Sequence, residues 1–195
     1  MTYPLLDFST SPTPVTVHMT DYPKNTYAGV IGSDFDDQIW ARPHGPRFQP
    51  FPDSTLYGGD GDDQLHAGHR GAIIDGGAGA DIMWGATQHP DNITTFVFDS
   101  VSDFGDGKGH WDDIVRFNKF DRIDLTRIDA DTVQDGHQPF TFIGTAAFDG
   151  HAGEVRYQSD GAGGSVVLGD VNGDGVADFE LLVNKLTLHS DNFVL

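Results

Sequence analysis

A nine-residue pattern is written twice in this chain, GGDGDDQLH from Gly58 to His66 and GGAGADIMW from Gly76 to Trp84. The copies begin 18 residues apart, so glycine, aspartate and one apolar residue recur in frame after two periods. Self-similarity at so short a fixed period marks a solenoid, in which each unit buries its apolar residue only against stacked neighbours. In this frame six residues turn the chain and three form a short strand whose middle residue points inward. Glycine at the first, second and fourth positions permits tight, partly left-handed turns and lets main-chain carbonyls come close to an ion. The eighth position, Leu65 or Met83, fills a narrow core. The frame therefore predicts an all-β fold built on a parallel β-roll.

The sixth position is Asp63 in one copy and Asp81 in the other. A carboxylate beside glycine carbonyls suits a hard cation that takes about six to eight oxygens, which points to Ca2+. Consecutive half-coils face opposite sides, so units 18 residues apart stack on one edge and can sandwich an ion between them. The candidate donors are Asp63 with its turn residues Gly58, Asp60, Gly61 and Asp62, and Asp81 with Gly76, Ala78, Gly79 and Ala80. A degenerate copy, GSDFDDQIW from Gly32 to Trp40, puts Asp37 in the sixth place and Ile39 in the eighth. It begins 26 residues before Gly58, so an eight-residue insertion within 41–52 restores the stack. That stretch, ARPHGPRFQPFP, reads as a proline-rich excursion loop. The opposite-edge unit AGHRGAIID, from Ala67 to Asp75, keeps an inward Ile74 but lacks the aspartate, and is expected to be a structural turn.

Composition sharpens the reading. Of 30 acidic residues only Glu154 and Glu180 are Glu, leaving 28 Asp. Aspartate belongs to tight turns and oxygen-donor metal loops, so this bias is not ordinary surface acidity. A net charge of −19 opposes a compact state and disfavours nucleic acid or an anionic membrane as partner. Bound cations would relieve it. The chain has no cysteine, no apolar run of the roughly 20 residues a membrane helix needs, and no basic-then-apolar leader in MTYPLLDFST.

From Thr94 onward the chain turns strand-like, with TTFVFD, DDIVRF, DRIDLTRI, FTFIGTAAF, EVRYQ, SVVLGDV and ADFELLVN separated by Gly and Asp turns. These runs predict a β-sandwich cap closing the last coil's open edge. Three regions are expected: an N-terminal cap or strand over 1–28, the β-roll over 29–93 with its inserted loop, and the C-terminal cap over 94–195.

The repeats, followed by FVFDSVSD, DDIVRF, DRIDLTRIDAD, GDVNGDGVADFELLV and a terminal DNFVL, resemble the C-terminal RTX (repeat-in-toxin) domain of serralysin-type metalloproteases. They are closer still to the R-modules of secreted alginate epimerases. The resemblance covers roughly 30–195. It implies a calcium-loaded β-roll, export by type I secretion machinery reading a signal at the extreme C-terminus, and an extracellular location. It also implies a calcium ion where roll and cap join, with Asp103 and Asp112 as the matching positions. Arg116 departs from the family, which commonly has an acidic residue there.

Other chemistries find less support. Asp170, Asn172 and Asp174-Gly175 begin like an EF-hand loop, but the twelfth position is Leu181, and Asn172-Gly173 and Asp174-Gly175 favour a hairpin turn. No H-E-x-x-H, G-x-S-x-G or cysteine nucleophile occurs, and His66, His69 and His89 do not form a zinc signature. His66 is expected to be a solvated outward ring, and Trp40, Phe48, Phe51, Trp84 and Trp111 to be packing residues rather than sugar-stacking ones. The chain thus reads as a secreted calcium-binding module without a catalytic site, with a binding or accessory role toward an extracellular protein. The alternative is a targeting module for an anionic, alginate-like polysaccharide, using Arg42, Arg47 and Arg70. In this frame Asp63→Ala should remove more calcium affinity than Asp75→Ala in a calorimetric titration. Equal losses would show the frame to be wrong.

Overall fold

The computed structural model describes residues 3–23, 26–42, 54–87, 92–105, 110–185 and 187–195. Short strands alternate between two facing sheets as the chain coils. The first sheet holds, in spatial order, β1 (Leu5–Asp7), β3 (Gly29–Ile31), β5 (Ser54–Asp60), β7 (Ala72–Ala78), β9 (Thr95–Val97), β11 (Arg122–Asp124) and β16 (Phe193–Val194), each parallel to its neighbour. The second holds β2 (Thr16–His18), β4 (Gln38–Trp40), β6 (Gln64–His66), β8 (Ile82–Trp84) and β10 (Asp113–Val115), again parallel. It continues through β15 (Phe179–Val183), β14 (Ser165–Asp170), β13 (Glu154–Ser159) and β12 (Thr141–Phe142).

Most strands of the roll are three residues long, with only the middle residue facing the core; in the seven-residue β5 and β7 the inward residues of the column are Leu56 and Ile74. Register therefore lines up one inward side chain per coil. Across the first sheet these are Leu6, Val30, Leu56, Ile74, Phe96, Ile123 and Phe193; across the second, Val17, Ile39, Leu65, Met83, Ile114 and Val183. All thirteen are buried, and together they form the spine of the core. A one-residue slip would turn every one of them outward, so the apolar column fixes the register of the turns at its edges.

Two expectations change in extent. The N-terminal segment supplies β1 and β2, a full coil belonging to both sheets. The roll also does not stop at residue 93, because β9, β10 and β11 extend both sheets in parallel register. The cap proper is the antiparallel meander β13–β14–β15, whose last strand pairs in parallel with β10 and closes the second sheet's growing edge. Stacked rings join the cap to the roll, with Phe98 4.4 Å from Phe104 and Phe104 4.1 Å from Phe179 between centroids. Ile39 pairs with Leu65, the register an eight-residue insertion requires, while residues 43–52 of that insertion lie outside the described residues.

Leu65→Ala should destabilise the calcium-loaded protein by about 2–5 kcal/mol in chemical denaturation, because the stacked neighbours cannot close the cavity. Ile73→Ala, at a position 42% exposed on the outer face, should stay within about 0.5 kcal/mol. Similar costs at the two positions would contradict the core assignment.

Candidate metal centre

The inward register places the sixth-position aspartates one above another along a single edge of the roll. Asp37, Asp63, Asp81 and Asp112 are each at most 1% exposed. Each carboxylate's Oδ1 accepts the amide of the residue one coil earlier. The Asp37 amide donates to Asp63 (2.7 Å), that of Asp63 to Asp81 (2.8 Å), and that of Asp81 to Asp112 (2.8 Å). A second, exposed column runs beside it, where the Asp62 amide donates to Asp36 (3.0 Å) and the Ala80 amide to Asp62 (2.9 Å).

The other oxygen decides what the column can do. The Oδ2 atoms of Asp63, Asp81 and Asp112 are buried with no hydrogen-bond partner among the described residues. Burial, foremost, pushes the carboxyl of Asp63 up to about 9, that of Asp81 to about 7 and that of Asp112 to about 9, and neighbouring carboxylates add to the shift. An ionised oxygen without a partner in such a place is strongly unfavourable, and a hard cation is the ligand that satisfies it.

The glycines complete the cradle for two different reasons. Those at the second and fourth positions, Gly59 (φ 121°), Gly61 (φ 115°), Gly77 (φ 93°) and Gly79 (φ 143°), take the left-handed conformation that glycine alone adopts freely. Gly58 and Gly76, at the first position, are needed for space: a side chain at Gly58 would overlap both Asp63 Oδ2 and the Gly76 carbonyl oxygen, and one at Gly76 would overlap Asp81 Oδ2. Carboxylate and carbonyl oxygens thus crowd the same points. Among the described residues no three acidic or imidazole side chains form a cage, so any site here draws on main-chain carbonyls. That donor set fits calcium.

Asp37 differs from the other three. Its Oδ1 accepts the Val15 amide (2.7 Å) and the Ser33 hydroxyl (2.8 Å), and its Oδ2 accepts the Ser33 amide (2.5 Å). Ser33 occupies the place of the second glycine and supplies what an ion would otherwise supply. Asp60 sits exposed at the end of β5, opposite Ala78. Asp103 and Asp112, the two residues expected where roll and cap join, make different hydrogen bonds and lie near enough for Asp103 to raise the carboxyl of Asp112. Asp112 is the fourth rung of the column, whereas Asp103 Oδ2 accepts the amides of Asp99 (2.7 Å) and Ser100 (2.9 Å) and caps the 3-10 turn Val101–Phe104.

Asp121 was not anticipated. It is fully buried at the opposite edge, with Oδ1 on the Thr94 amide (2.8 Å) and Oδ2 on that of Asn118 (2.9 Å). Its signal in the sequence is the same as for Asp112, an aspartate two residues before an inward isoleucine, Ile123 or Ile114. Asp170 to Asp178 forms the β14–β15 hairpin connection, in which Asp170 accepts the amides of Gly173 (2.7 Å) and Gly175 (2.9 Å). His66 is not a solvated ring: it stacks between Trp40 and Trp84 on the outer face of the second sheet. Arg42, half-buried, donates to the carbonyls of Met19 and Tyr22, while Arg47, Phe48, Phe51 and His89 lie outside the described residues.

The raised carboxyl groups fix the sign of a pH effect. Folded values above the unfolded 3.8 mean that the calcium-free fold binds more protons than the unfolded chain across about pH 4 to 9. In chelator, thermal stability should therefore fall as pH rises from 5 to 8, and added calcium should stabilise most at the upper end. A calcium-free protein that gains stability over that range would contradict the buried column.

The comparisons agree with this geometry. Residues 53–68 and 73–89 match the RTX calcium-binding nonapeptide repeat family, in 4 copies. Among solved structures, the chain is similar to the AlgE6R3 subunit of the Azotobacter vinelandii mannuronan C5-epimerase, determined in solution. The TM-score is 0.52 and the identity 24%, over 84% of this chain and 80% of that one. No curated protein sequence matches the chain. Residues 53–89 thus hold segments that match RTX calcium-binding nonapeptide repeats, within a parallel β-roll whose fold is similar to that of the R-module.

Proposed function

We propose that this calcium-binding β-roll is a secreted module whose folding is gated by calcium after type I export, and that it serves outside the cell as a binding or accessory unit without a catalytic site. The observation that carries this reading is the set of three buried aspartates, Asp63, Asp81 and Asp112, whose Oδ2 atoms lack a partner among the described residues. Asp63, Asp81 and Asp112 would hold the ions, with carbonyls from the turns at 58–62 and 76–80. When bound, each ion supplies positive charge between two rungs and takes the place of the missing hydrogen-bond donors.

The chain's own contribution is to orient the donors. Each Oδ1 is locked by the amide of the coil before it, and Asp63 Oδ2 and the Gly76 carbonyl oxygen both lie at the space left open by Gly58. At low calcium the three carboxylates must either stay protonated or leave the core, and both alternatives weaken the fold near neutral pH. Extracellular calcium modules bind in the range of about 10⁻⁴–10⁻³ M, well above cytosolic levels, so the same chain would be unfolded before export and folded after it. The non-catalytic part of the proposal is supported by the lack of cysteine and of H-E-x-x-H and G-x-S-x-G motifs.

A second reading is favoured by the structural neighbour, a subunit of a mannuronan C5-epimerase. In it the chain targets an enzyme to an anionic polysaccharide. Arg42, one of the cations expected to serve it, is engaged with main-chain carbonyls.

Chelator-treated protein titrated with calcium and followed by circular dichroism tests the first reading. A cooperative gain of β signal, with a midpoint of roughly 10⁻⁴–10⁻³ M and no response to magnesium at the same concentrations, is expected. A fully formed β signal in chelator at pH 7.5 would refute calcium gating.

A further inference from the structure

The outer face of the second sheet carries a feature that calcium binding does not use. His18, Trp40, His66 and Trp84 occupy the same position in successive strands and pair in register. Their rings stack at centroid separations of 4.3, 4.8 and 4.0 Å, with interplanar angles of 13°, 7° and 9°. The spacing is that of the strands themselves, so the sheet holds the ladder rigid at little entropic cost. His18 is exposed and the other three rings are half-buried.

Beside the ladder lies a groove enclosing about 320 Å³, at the small end of the range for small-molecule sites. Small residues after each strand, Ala41, Ala67, Gly68 and Ala86 among them, keep it open, and Thr20 and Thr87 bring hydroxyls to it. Among the described residues none that line it is acidic, in a chain of net charge −19. They do include Arg116, His18 and His69.

Arg116 is the most informative of them. Among the described residues it is the one non-glycine with positive φ, at 61°, a conformation an arginine adopts only under constraint from its surroundings. It is exposed and forms no ion pair or hydrogen bond among the described residues. A guanidinium without a partner among the described residues, presented on a strained backbone beside a groove whose described lining holds no acidic residue, has the chemistry to receive a carboxylate. Its planar fork matches a carboxylate in two parallel hydrogen bonds. The aromatic edges and hydroxyls beside it suit the mixed C–H and O–H surface of a sugar ring.

We propose that this groove binds an acidic sugar unit of an extracellular polysaccharide, with Arg116 holding the carboxylate and the His–Trp ladder and threonines contacting the ring. This rests on the targeting reading above and gives it a location.

The test is binding of a short oligomannuronate, with a neutral oligosaccharide of equal length as control, to the full chain in saturating calcium by calorimetry and tryptophan fluorescence. The unmodified protein should bind the acidic sugar and not the neutral one. Arg116→Gly and Arg116→Gln should each weaken binding by roughly 10- to 100-fold, as for a lost charged hydrogen-bond pair. Arg116→Gly should at the same time raise Tm, because glycine adopts the left-handed conformation freely, which separates lost recognition from lost folding. If the unmodified protein binds and both variants bind equally well, the groove is the wrong site while targeting stands. Equal binding of the neutral sugar would overturn carboxylate recognition. No binding of the acidic sugar to the unmodified protein would overturn both the groove and the targeting reading.

Discussion

Three carboxylate oxygens with nowhere to go constrain this protein more than any other feature. The amide-to-Oδ1 ladder through Asp37, Asp63, Asp81 and Asp112 ties each coil to the next, but it leaves Oδ2 of the last three inside the structure without a donor. A hydrophobic column alone would hold the coils together. The carboxylates make that cohesion conditional, since every added rung buries another charge that water no longer solvates. The same in-register stacking that builds the core therefore places the carboxylates that a cation would satisfy, which is the basis of the proposed coupling of folding to ion binding.

How far this was legible in the sequence differs from residue to residue. Asp63 and Asp81 stand in intact repeats, where glycine positions and the inward Leu65 and Met83 fix the frame. Asp112 belongs to the same column, but its unit, GKGHWDDIV from Gly107, lacks the glycines of the second and fourth positions, so it read as part of a joining loop. Asp37 shows the reverse case. Its repeat is recognisable, yet Ser33 satisfies its carboxylate with an amide and a hydroxyl, a substitution whose consequence depends on side-chain direction and not on spacing. The N-terminal coil was unreadable for a simple reason: Leu6 and Val17 are inward residues with no repeat motif around them, and only register with Val30 and Ile39 reveals their role. The ladder of His18, Trp40, His66 and Trp84 spans that same unreadable coil. Its members look like isolated outward aromatics until the strands are laid side by side.

The two faces of the second sheet suggest a division of labour. Its inner residues and the adjoining edge serve cohesion and calcium, while its outer face carries an aromatic strip and, beside it, an exposed arginine without a partner among the described residues. Because the ladder's spacing is inherited from strand pairing, the outer surface exists only when the coils are stacked. Whatever binds there would sense, indirectly, whether the calcium column has formed. The antiparallel meander at the C-terminal end closes the sheet that carries this face, so the cap, the column and the outer strip depend on one register.

A crystal structure of the calcium-loaded protein, with anomalous difference density collected at a wavelength where calcium scatters strongly, tests the central claim most directly. The account predicts peaks beside Oδ2 of Asp63, Asp81 and Asp112, aligned along one edge of the roll and within coordination distance of glycine carbonyls. A column without anomalous density in a folded, calcium-saturated crystal would contradict it.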